Sequence, residues 1–208
     1  LQRLRDICDK HGILLIFDEV ITGWGRTGSP FASQAFGVTP DIMTMAKAVT
    51  NGVVPLGAVA SRENIYDTVL DASPMGAVEF FHGYTYSAIP VSMAAGLAMQ
   101  NIIEKENLFQ RSKDMSPYFL DGLFSLKDID VITDIRGYGM MGGIDIHLDE
   151  RPGKAGYACF KKLFEAGLSL KATGDCLIVA PPFVCETEHI DEIIEKLRTG
   201  ITNYMKSK

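Results

Sequence analysis

Two polar side chains follow apolar runs early in the chain. "LLIF" (residues 14–17) ends at Asp18 and Glu19, and "IMTMA" (residues 42–46) ends at Lys47. Apolar runs of this length read as short buried strands, and ligands of open α/β sheets bind beyond the carboxyl ends of such strands. An acid and an amine delivered to that edge can meet there and act together. They can equally form a surface ion pair of little energetic weight. Asp18 alone can be an ordinary strand-end residue that caps the next helix. Residue spacing leaves these readings open. The other candidates are weaker. His11 and His82 each lack a metal-ligating partner at useful spacing, so structural roles are expected. The glycines of "GYGMMGG" (Gly137, Gly139, Gly142, Gly143) do not stand between a strand and a helix start, so the segment reads as a turn rather than a phosphate loop.

These groups need elements to position them. Leu1, Leu4, Ile7 and Cys8 share one helical face, and Gly12 is a suitable helix end. "ILLIF" then reads as a strand buried on both faces, as in a parallel sheet covered by helices. A loop with a short helix spans about residues 23–37. "DIMTMA" is a second strand, with Met43 and Met45 as core, and "LGAVAS" a third, followed by a helix over 62–71. Long helices are expected over 94–103 and 115–126, with Pro117 near the start of the second. "VITDIRGYGMMGGIDI" reads as strand, turn and strand, and 155–166 as a helix ending at Gly167. "LSL" and "CLIVA" read as short strands. Ile190, Ile193, Ile194, Leu197 and Ile201 mark a last amphipathic helix with Thr187 as its cap. The expected fold class is α/β, with a sheet domain over residues 1–105 and a smaller α+β domain over 106–208.

Composition narrows the function. The 208 residues are 47% hydrophobic and 22% charged, as in an ordinary globular protein. A net charge of -6 without a basic block argues against nucleic acid and anionic membranes as partners. No apolar run reaches membrane-spanning length. The four cysteines are scattered and read as reduced structural thiols of a cytoplasmic protein. The sequence opens on Leu1 inside an amphipathic pattern, so a longer parent chain is expected.

Three stretches, "LLIFDEVITGWGRTG", "PDIMTMAKAVTNGVVPLGAV" and "HGYTYSAIPVSMAAGLA", occur in this order. Together they resemble the class III aminotransferases, fold-type I enzymes that use pyridoxal 5′-phosphate. Within that class the wording is most similar to the β-alanine (omega-amino acid)–pyruvate aminotransferases. The resemblance runs from residue 1 almost to the end and is strongest over residues 9–98. It implies a large transferase sheet domain, a small-molecule amino donor and a keto acid acceptor, and a homodimer or dimer-based oligomer. Lys47 would condense with the cofactor aldehyde, and burial would keep its amine neutral and nucleophilic. Asp18 would pair with the pyridine nitrogen and keep it protonated. Val20 would pack on the ring. Thr85 would bind the cofactor phosphate, in the family typically from the neighbouring subunit. Trp24 and Arg26 would be loop and interface anchors.

The sequence departs from the family in two places. Members are longer, and their N-terminal half supplies the phosphate cradle at a helix start and the aromatic stacked on the ring. Near the C-terminus an arginine often grips the substrate carboxylate just before "GD", and here "LSLKATGD" puts Lys171 there. The resemblance therefore implies transfer of an amino group from an omega-amino acid or amine to pyruvate or a similar keto acid. An aminomutase or racemase on the same fold, or a truncated chain inactive on its own, is the alternative.

Overall fold

The structure, a computed structural model, describes residues 1–76, 83, 85–147 and 151–206, so His82 lies outside the described residues. The fold is mixed α/β. The chain divides into two compact units. One comprises Leu1–Gly25 and Ser29–Asn107, and the other comprises Arg26–Gly28 and Leu108–Lys208.

The first unit is built on a three-stranded sheet in the order β1-β2-β3. Helix α1 (Gln2–His11) ends at Gly12, whose left-handed φ of 64° lets the chain reverse into the sheet. Strand β1 (Ile16–Asp18) runs parallel to β2 (Ile42–Met45), with Asp18 opposite Thr44. Strand β3 (Ala58–Ser61) pairs antiparallel with β2. Between β1 and β2 lies the short helix α2 (Ala32–Ala35). Helix α3 (Glu63–Asp71) follows β3, and α4 (Pro90–Lys105) closes the unit.

The expectation of a first strand buried on both faces is corrected. Leu15 is 7% exposed and packs with Cys8, Val38 and Phe17, whereas Leu14 is 54% and Ile16 57% exposed. Alternate strand residues face opposite sides. Among the described residues only the side carrying Leu15 and Phe17 is covered, and β1 lies at the edge of the sheet they form. Met43 and Met45 are half-buried rather than core.

A carboxylate fixes the entry of both parallel strands. Asp41 Oδ2 accepts from the Leu15 backbone N–H and from Arg5 Nη1, each at 2.7 Å, and Arg62 Nε lies 3.3 Å from Oδ1. The Leu15 amide, with Arg5 and Arg62 beside it, holds the Asp41 carboxyl below its ordinary pKa. The start of β2 is thereby tied to the start of β1.

The second unit packs helices on a four-stranded antiparallel sheet in the order β4-β5-β7-β6. The elements are α5 (Leu108–Phe124), β4 (Ile132–Tyr138), β5 (Met141–Ile146), α6 (Ala155–Glu165), β6 (Lys171–Thr173), β7 (Cys176–Val179) and α7 (Thr187–Lys206). Phe119, Leu123, Met140, Ile144, Leu177 and Leu197 are fully buried at its centre.

Three sequence expectations shift here. Helix α5 begins at Leu108 and carries Pro117 inside it. An interior proline costs about 3 kcal/mol. Burying Phe119 and Leu123 on the same face stabilises by roughly 1.5–3 kcal/mol each, so the helix continues. The penultimate strand is Lys171–Thr173 rather than "LSL", because pairing with β7 across the Gly174–Asp175 turn sets its register. Thr187 is the first helical residue of α7, not its cap, and its hydroxyl bonds the Glu188 side chain. The Glu186 N–H ahead of it donates to His189 Nδ1 at 3.0 Å.

All four cysteines are unpaired. Burial pushes the Cys159 thiol up to about 12 and contributes most to raising Cys176 to about 11, so neither is a ready nucleophile at neutral pH. No described helix is long and apolar enough to cross a membrane.

Candidate active site

Asp18 is the last residue of β1, and Lys47 stands two residues beyond the end of β2. Because the two strands are parallel neighbours, both residues emerge at the same carboxyl edge. Strand alternation puts Asp18 on the exposed side with Leu14 and Ile16. Asp18 Oδ1 accepts from Thr44 Oγ1 at 3.0 Å and from the Val20 N–H at 3.1 Å. The strand partner and the turn thus fix one carboxylate oxygen. Oδ2 receives no hydrogen bond among the described residues and is available to an external donor.

Lys47 opens a single 3-10 turn, Lys47–Val49. Its φ of 53° lies in the left-handed region, which costs a residue with a β-carbon about 1–3 kcal/mol. The Lys47 carbonyl accepts from the Thr50 N–H at 3.3 Å, and the Thr50 hydroxyl donates to the Val54 carbonyl at 2.7 Å. The turn after Lys47 is therefore held from both sides. The ammonium makes no ion pair or hydrogen bond among the described residues. Lys47 is exposed, so the burial implied by the resemblance is not supplied by the described residues. Two groups with opposite proton preferences, each with a free valence, share one sheet edge. This donor set fits a cofactor with a basic ring nitrogen at one end and a carbonyl to capture at the other.

Val20 is half-buried and contributes its backbone N–H to Asp18. Thr85 lies in an exposed turn ahead of α4, and no described side chain joins it to Asp18 or Lys47. Lys171 opens β6 in the second unit, is exposed, and lies opposite Ile178 of β7. The hairpin that carries it is anchored by Asp175. That carboxylate accepts from the Gly153 N–H at 2.7 Å and the Ala155 N–H at 3.0 Å at the start of α6.

Glu19, next to Asp18 in the chain, was missed in the sequence, and Arg26, in the second unit, was read more loosely. Glu19 is 1% exposed, and its carboxylate accepts from the Thr22 hydroxyl, from the Ala32 N–H at 2.9 Å and from the Ser33 N–H at 2.7 Å. Its position after Asp18 placed it on the covered face by alternation alone, which was the available signal. Arg26 donates to the carbonyls of Met140 at 2.9 Å and Pro181 at 2.6 Å, and its guanidinium lies 4.5 Å from the Phe183 ring centre. Gly139 turns with φ 60° directly against the Arg26 carbonyl and Thr27, where a side chain would collide with backbone. Trp24 packs edge-on against Phe31 at 5.3 Å. No cluster of metal-ligating side chains occurs among the described residues.

A family model for the class-III aminotransferases matches residues 1–201, and the chain belongs to that family, whose members are pyridoxal-phosphate enzymes. Among its relatives, an omega-aminotransferase of Caulobacter vibrioides is 47% identical over 201 residues, covering 95% of this chain and 45% of the relative. A β-alanine–pyruvate aminotransferase of Pseudomonas aeruginosa is 47% identical over 197 residues, covering 94% and 44%. A 4-fold mutant of a thermostable omega transaminase from Pseudomonas jessenii superposes with a TM-score of 0.92 at 29% identity, covering 99% of this chain and 47% of that structure. The chain spans about half the length of the relatives it matches.

Proposed function

We propose that the protein is a pyridoxal-phosphate aminotransferase that moves an amino group from an omega-amino acid or amine, such as β-alanine, to pyruvate or a related keto acid. The observation that carries this reading is the Asp18–Lys47 pair on one edge of two parallel strands, each with a free valence. The cofactor supplies an aldehyde and an electron-withdrawing ring. Lys47 would hold the cofactor through that aldehyde and, when its amine is free, would take and return the proton at the amine-bearing carbon of the substrate. Asp18 holds a proton on the ring nitrogen through its free oxygen. Val20 packs on the ring. Thr85, exposed and unpartnered among the described residues, offers its hydroxyl to the phosphate of a cofactor in the partner subunit of a homodimer. Four unpaired cysteines support a cytoplasmic setting.

The test is amino-group exchange in two separated halves. The full-length gene product, loaded with cofactor, should take up one amino group from β-alanine and keep it after the donor is washed away. Added pyruvate should then leave as alanine. A mutase or racemase needs no second keto acid, so turnover without pyruvate would refute the proposal.

Lys171 sets donor choice in this reading. Arginine binds a carboxylate through two parallel hydrogen bonds, whereas lysine offers a single point charge. Lys171→Arg should raise kcat/KM for β-alanine relative to an uncharged amine, by about tenfold for 1.4 kcal/mol. Lys171→Ala should lower that ratio by a similar factor. An acid-to-neutral ratio unchanged in both variants would remove Lys171 from the substrate pocket.

A further inference from the structure

Asp18 Oδ1 is held by Thr44 and Val20, and the residue after Asp18 lies on the other side of the strand. That residue, Glu19, is sealed from solvent. Its three donors lie on the loop that leaves β1 and on α2: the Thr22 hydroxyl and the backbone amides of Ala32 and Ser33. Its own backbone is fixed as well. The Glu19 N–H donates to the Thr44 carbonyl at 3.0 Å, and its carbonyl accepts from the Gly23 N–H at 2.9 Å. Gly23 packs so closely that a β-carbon there would lie 2.8 Å from that carbonyl. One buried carboxylate therefore ties the far end of the 20–31 loop back to the strand end. The same loop begins with Val20, whose N–H is one of the two donors fixing Asp18 Oδ1. Thr44, which supplies the other donor through its hydroxyl, also receives the Glu19 amide on its carbonyl.

We propose that Glu19 is a positioning residue that sets the angle at which Asp18 meets the cofactor's ring nitrogen, by locking the loop that carries Val20. The proposal rests on the role of Asp18 given above. All three of Glu19's partners donate, so a group that only accepts is required. Glutamine would place an N–H against at least one of them. Leaving a buried donor without an acceptor loosens the loop, and Asp18 then loses the Val20 amide or swings with it.

The experiment reads the ring nitrogen itself. The full-length gene product is loaded with pyridoxal phosphate isotopically labelled at that nitrogen, and its NMR shift reports protonation. The wild type should show the protonated value, and Asp18→Asn should move it to the unprotonated one. Glu19→Gln should move it part of the way, through about a tenfold loss in the proton's binding constant, which is one pKa unit. Thr22→Val, which removes one donor and keeps the side-chain shape, should move it in the same direction by less. A purely structural glutamate would lower the melting temperature and leave the nitrogen shift where it was. If Glu19→Gln does not fold, Thr22→Val decides. An unmoved nitrogen in the folded Glu19 or Thr22 variants, with Asp18→Asn shifted, overturns the positioning role alone. An unmoved nitrogen in Asp18→Asn overturns the Asp18 assignment and this inference with it.

Discussion

Lys47→Ala is expected to abolish transamination in the full-length gene product while leaving the fold in place. The lysine makes no ion pair or hydrogen bond among the described residues, so its removal strands no partner. Alanine must adopt the same left-handed backbone and carries the same strain, since it too has a β-carbon. The melting temperature should therefore change little. Activity should fall by at least the factor of about 10²–10⁴ that a positioned proton carrier contributes. The covalent hold on the cofactor disappears as well, so dialysis should strip the variant of cofactor faster than the wild type. Added small amines should restore part of the turnover, because the proton carrier is then supplied from solution. A Lys47→Ala variant with wild-type turnover would remove Lys47 from the chemistry.

Asp18→Asn is expected to slow each half-reaction and leave the structure largely unchanged. Asparagine is nearly isosteric, and its amide oxygen can still accept from Thr44 and Val20 in place of Oδ1. The group at Oδ2 becomes an N–H donor, which cannot hold a proton on a pyridine nitrogen. A charge-assisted hydrogen bond contributes about 1.5–3 kcal/mol, a factor of roughly 10–150. The transition state should lose more, because charge would flow from the amine-bearing carbon of the substrate into the ring as the proton leaves. Single-turnover rates with β-alanine should therefore fall by at least tenfold, with KM less affected. Near-normal rates would show that the ring nitrogen's proton has another source.

The strand-end positions of Asp18 and Lys47 were legible in the sequence because each follows an apolar run, and a run of that kind marks a strand whose end can be located. The ordered words around them carried the family. Glu19 was not legible as a structural hub. Two of its partners are backbone amides at residues 32 and 33, and no side-chain pattern records where a distant amide will fold. The exposure of Leu14 and Ile16 was hidden for a related reason. "ILLIF" has no alternation, so it predicts burial on both faces, yet only the Leu15 side meets Cys8 and Val38. Pro117 misled because a proline reads as a helix start. The buried stripe of Leu108, Ser112, Ser116, Phe119 and Leu123 carries α5 through it instead. At α7 the capping signal resided in His189, a residue type that seldom plays that part, rather than in Thr187.

The most direct test of the account is to fix the bound cofactor chemically and find where it is attached. The full-length gene product is incubated with pyridoxal phosphate, reduced with borohydride, digested and sequenced by mass spectrometry. A single stoichiometric label is expected on the peptide that contains Lys47, absent after prior incubation with β-alanine. A stoichiometric label on Lys10, Lys171 or any other lysine, or no label on a protein that transaminates, would contradict it.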